Sequence, residues 1–150
     1  MPVSDLEMVM LRAHIDGEDE AAQRAFSQQL GASGDVSGLA ALVHEAFVIV
    51  AQRQFTPQWT GADVIRYVAR VRGLFSERPG LLDPVVAEDE IRRALGQPIT
   101  AAHDAGTRAL TWLVLLDALV ASLDLDQQGT DDLLSDARYE ADRLMAAAAS

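Results

Sequence analysis

The sequence predicts an all-α fold, a compact bundle of six or seven helices around a central apolar helix at about 101–123. Three observations carry this. The segment 109–123, ALTWLVLLDALVASL, is apolar except at Thr111, Asp117 and Ser122. A helix apolar on all sides belongs at the centre of a bundle or in an interface. Elsewhere apolar residues recur at three- and four-residue spacing, and no stretch sustains the period-two alternation of a strand. Capping residues also stand where the periodic segments begin. The central segment falls short of the roughly 20 residues that a bilayer crossing takes, and it carries a carboxylate at its middle, which places it in a protein core.

Taken in order, Ser4 and Glu7 form a capping box ahead of a first helix that runs to about Ile15, with Leu6, Val9, Met10 and Ala13 on its buried side. Asp16-Gly17 breaks the chain. A second helix opens on the acidic run 18–20, as the positive helix start favours, carries Phe26 and Leu30, and stops at Gly31. Residues 31–38, GASGDVSG, read as a flexible break within what is otherwise a single helical domain over 1–150. They have no Lys or Ser/Thr at the spacing of a phosphate-binding loop.

The third helix, about 36–55, shows the stripe Leu39, Leu42, Val43, Ala46, Phe47, Ile49 and Val50. Thr60 and Asp63 make a second capping box, with Trp59 and Val64 at the spacing of a hydrophobic staple. That spacing favours Trp59 as a packing anchor over a ligand-stacking residue. The fourth helix, 61–76, buries Val64, Ile65, Val68, Val71 and Phe75. Asp83-Pro84 is a cap followed by proline at the first helical position. The fifth helix, 84–96, buries Ala87, Ile91, Ala94 and Leu95, and pairs Glu88 with Arg92 and Asp89 with Arg93 at i,i+4. Thr100 caps the central helix. Residues 124–130 form a loop, and the last helix runs over 131–149.

Composition narrows the function classes. Hydrophobic residues at 49% exclude a disordered chain. The formal net charge of −11 opposes non-specific binding to nucleic acid or anionic membrane and favours basic partners. With no cysteine there are no disulfides, thiolate metal sites or thiol nucleophiles. The start MPVSDLEMVM lacks the basic and apolar regions of a signal peptide, so a cytoplasmic location is expected.

The motifs of chemistry are largely missing. His14, His44 and His103 stand far apart, and neither a Glu-x-x-His pair nor a His pair at i,i+4 occurs. The oxygen series Asp124, Asp126, Gln128 with Gly129 matches the start of an EF-hand loop, but Ser135 stands where the bidentate Glu is required. The sequence therefore assigns no catalytic, cofactor-binding or metal-binding residue, and the chain is not expected to be an enzyme.

Three groups of residues stand out. Leu134, Ala137, Ala141, Leu144 and Ala148 form a short a/d seam on the last helix, suited to homodimerisation or to docking another protein. Arg72 and Asp117 lie on apolar faces, where an unpaired charge costs several kcal/mol, so they are read as a buried ion pair. Residues 53–93 hold seven Arg against six acids, and Arg53, Arg66, Arg70 and Arg78 form an alternative nucleic-acid surface. The leading reading is a non-catalytic, self-associating interaction or regulatory module. A nucleic-acid-associated regulator is the first alternative, and a small-molecule binder or enzyme with a pocket between helices three, four and six is the second.

Overall fold

A computed structural model describes residues 2–33, 35 and 37–150. It contains seven α-helices and, among the described residues, no strand: α1 Asp5–Ile15, α2 Asp19–Ser33, α3 Ser37–Gln54, α4 Gly61–Leu74, α5 Pro84–Ala94, α6 Ala105–Leu123 and α7 Gln127–Ala148. Close contacts group these into two compact units, Met1–Ala46 with Leu125–Ser150, and Phe47–Asp124. Helix α3 begins in the first unit and ends in the second. The expected break at 31–38 starts as helix, since Gly31 to Ser33 continue α2. Gly34 and Val36 lie outside the described residues.

In the first unit α1 packs on α2 and α7. The Ser4–Glu7 capping box is present in both directions, each bond at 3.0 Å. Gly17 takes φ +75°, a left-handed conformation that glycine adopts without cost, and separates α1 from α2. The extended residues before α1 are pinned to α7. The Val3 N–H donates to Asp142 Oδ1 at 2.6 Å, and Arg138 donates to the Val3 carbonyl at 2.8 Å.

The buried faces are rotated from those expected. On α1 the buried residues are Glu7, Met10, Leu11 and Ala13, while Val9 is 50% exposed. On α2 they are Ala25 and Gln29, with Leu30 exposed. Gln29 is drawn inward because it accepts from the Ser4 hydroxyl at 2.9 Å and donates to the Asp35 carbonyl at 3.1 Å.

Glu7 carries a further consequence. Its carboxylate is buried beside the start of α3, so close to Gly38 that a Cβ there would stand 2.5 Å from Oε1. Helix propensity alone makes Gly38→Ala stabilising by about 1 kcal/mol. The close approach reverses the sign, because the methyl group displaces the carboxylate that accepts from Ser4. The expected result is a loss of about 1–2 kcal/mol, as for other overpacked sites, read from urea unfolding. A gain in stability would contradict this packing.

In the second unit α4 packs on α5, and α5 on α6. Thr60 and Asp63 form the second capping box, and contact with the Thr60 N–H and with Arg66 holds the Asp63 carboxyl below its ordinary pKa. Asp83 accepts from the N–H groups of Val85 and Val86, with Pro84 in the first turn. On α4, Val64, Tyr67, Val68 and Val71 are buried, whereas Ile65 is 50% exposed.

Helix α6 starts later than expected. Asp104, not Thr100, is its cap, accepting from the Thr107 N–H at 3.0 Å. The residues before it are held outside the helix: His103 binds Asp89, and Arg93 donates to the Ala101 carbonyl. Its burial is one-sided. Thr111, Val114, Leu115, Leu116, Ala118 and Leu119 are buried, but Leu110 is 46% exposed. By length and composition alone α6 could cross a membrane, a test that the core helices of other proteins also pass. Its end at Asp124 takes φ +50°.

Residues 127–130 are helical rather than looped, because Asp126 caps α7 and accepts from the Gly129 N–H at 2.6 Å. Of the EF-hand-like side chains, Asp126 is thus spent on the cap of α7, and Gln128 donates to Asp132 at 2.8 Å. Among the described residues no three His, Asp or Glu gather as metal ligands.

Candidate functional site

Dividing the charge between the two units locates nearly all of it. The first unit carries fourteen Asp and Glu against four Arg, net −10; the second carries nine against eight, net −1. On the acidic unit a groove of about 460 Å³ opens between α1, α2 and α7. Its apolar side chains are Met8, Val9, Ala13, Ala21 and Leu134. Glu18, Asp131, Ser135 and Arg12 supply the polar lining. Arg12 is committed internally. It donates to Asp131 and pairs with Asp16 at 3.4 Å, and these contacts, Asp131 first, raise its pKa above the ordinary arginine value.

The a/d seam divides along its length. Leu134, Ala137 and Ala141 are buried, with Leu134 lining the acidic groove, so this part of the seam is spent within the chain itself. Leu144 at 43% exposure and Ala148 remain at the surface.

The pair read between Arg72 and Asp117 loses its premise of full burial. Arg72 donates its Nε–H to the Leu82 carbonyl at 3.1 Å, fastening the turn that follows α4, and both residues are only half-buried. The costly charge lies elsewhere. Glu90 is 1% exposed, and its carboxylate accepts two N–H bonds from Arg108, both at 3.1 Å, and one from the Trp112 indole at 2.7 Å. Arg93 approaches at 3.6 Å, and the Arg108 guanidinium lies 5.3 Å from the Trp112 ring centroid. The neighbouring Asp89 binds His103 Nε2 at 2.8 Å rather than Arg93. The Asp89–Arg93 pairing read along α5 therefore gives way to Asp89–His103, while Arg93 turns to Glu90 and to the Ala101 carbonyl.

The four arginines of the alternative nucleic-acid surface do not form one patch. Arg66 and Arg70 line a cleft of about 430 Å³ with Phe55, Trp59 and Tyr67, whereas Arg78 lines a separate hollow of about 280 Å³ beside Arg72. Arg53 is exposed on the last turn of α3 and lines neither. The Phe55 and Tyr67 rings meet edge to face, with centroids 5.5 Å apart at 74°. Burial raises the pKa of the Tyr67 phenol, whose hydroxyl lies 3.3 Å from that of Ser122. Chemically the cleft offers ring faces and two guanidinium groups, of which Arg66 is paired with the Asp63 carboxylate that also lines it. The acidic groove offers an apolar floor with anions at its edge, and the Asp89–His103 and Glu90–Arg108 contacts act as clamps between elements. No protein-family model, curated protein or solved structure matches the chain.

Proposed function

We propose that the chain is a non-catalytic helical interaction module whose acidic unit receives a basic amphipathic helix of another protein. The observation that carries this reading is an apolar groove, with half-exposed Val9 in it, on the unit that holds ten of the eleven net negative charges. A helix laid in such a groove buries its apolar anchors there, and its flanking Lys and Arg meet the surrounding carboxylates. Glu18 stands in the groove and Asp19 and Glu20 follow it, so the acidic run lies beside the apolar floor. Charge also selects against a second copy as the occupant. Two units of net −10 repel, and like-charge juxtaposition disfavours wrong partners. Self-association through Leu144 and Ala148 would use a surface outside this groove.

The test is a titration with a designed helix bearing Leu on one face and Lys and Arg on the other. The same helix with Glu in place of the cations serves as control. Saturable binding of the basic helix alone is expected, weakened by salt. Val9→Asp should lower the affinity about tenfold or more, since it places a charge among the apolar anchors. Equal binding of both helices, or of neither, would contradict the proposal.

A further inference from the structure

The second unit carries a different recognition chemistry. Three of the chain's aromatic side chains, Phe55, Trp59 and Tyr67, line the cleft that also holds Arg66 and Arg70. Its volume of about 430 Å³ lies within the range of small-molecule sites, roughly 300–1,000 Å³. Tyr67 is 4% exposed and braced by Phe55, while Phe55 and Trp59 keep part of their surface open. The Arg70 guanidinium is held 5.1 Å from the Tyr67 ring centroid, and no carboxylate of the described residues pairs with it. An arginine stacked in this way is oriented in advance, and its N–H donors remain available to an anion. Arg66 is already partnered by Asp63 at 2.6 Å.

The geometry points to a binding site for a single planar aromatic ring that carries one anionic group, a carboxylate or a phosphate, with the ring against Trp59 and Phe55 and the anion at Arg70. A polynucleotide fits less well. Arg53 and Arg78 do not line the cleft, and the protein's net charge of −11 repels a polyanion.

The experiment follows the Trp59 indole N–H resonance of the full chain by NMR. The Trp112 indole, bound to Glu90, serves as internal reference. Indole-3-acetate and adenosine monophosphate are the anionic probes, and 3-methylindole and adenosine their uncharged counterparts. The expected result is a saturable shift at Trp59 with at least one anionic probe. Its counterpart should bind about tenfold more weakly or worse, as the loss of a charged hydrogen bond implies. The arm that binds identifies the anion. Arg70→Gln should weaken binding by a similar factor with the unfolding midpoint unchanged. If that variant is destabilised, Arg70→Lys, which keeps a cation at the ring, should retain binding. Equal binding of charged and uncharged rings, or no shift at Trp59, would overturn the assignment. So would tighter binding of a short single-stranded oligonucleotide with a steep salt dependence.

Discussion

Arg108→Met is expected to remove about 3 kcal/mol of folding stability, read from urea unfolding. The substitution strips the two N–H donors from Glu90 while leaving its carboxylate buried. The Trp112 indole N–H and the more distant Arg93 remain, so the carboxylate keeps partial compensation. Arg108 itself is 30% exposed, and water entering from that side holds the loss near the lower end of the range for broken buried pairs, about 3–5 kcal/mol. The double variant Glu90→Leu, Arg108→Met removes both charges and should recover most of the loss, because two apolar side chains no longer need one another. A single variant within about 0.5 kcal/mol of the parent, the size of an ordinary surface change, would mean that Glu90 does not depend on Arg108.

Leu119→Ala should cost about 3 kcal/mol, and Leu110→Ala less than about 1 kcal/mol, although both lie on the same apolar helix. Leu119 is fully buried, and truncating it removes transfer free energy and leaves a cavity; Leu110 is 46% exposed and leaves none. The contrast tests whether α6 is buried on one side or all round. Equal and large losses at the two positions would restore the all-round burial that its composition suggests.

That contrast also marks where sequence reasoning stops. The helix starts at Asp5, Gly61 and Pro84 were legible, because a cap is a contact between residues two or three apart and each cap residue is visible. The faces were less so. Nearly continuous apolarity along α6 hides which side meets the core, and Val9 and Leu30 are apolar residues left partly at the surface. Glu90 could have been found: with Ala87, Ile91 and Ala94 it falls on one face at helical spacing. Its place in the acidic run 88–90 conceals it, since a run of carboxylates ordinarily marks a solvated face. Its partners Arg108 and Trp112 could not be found, since they stand eighteen and twenty-two positions further along the chain and no local pattern links them. For the same reason the acidic groove, assembled from α1, α2 and α7, and the Arg70–Tyr67 stack, whose cleft depends on the course of the chain between α3 and α4, emerge only from the three-dimensional arrangement.

The claim that the acidic unit docks a basic helix is tested most directly by mapping backbone amide shifts across the protein as the designed basic helix is added. The largest shifts should fall on α1, the start of α2 and α7, at Val9, Ala13, Ala21 and Leu134, with the residues of the Arg70 cleft unmoved. Shifts confined to other surfaces, or scattered without saturation, would contradict the account.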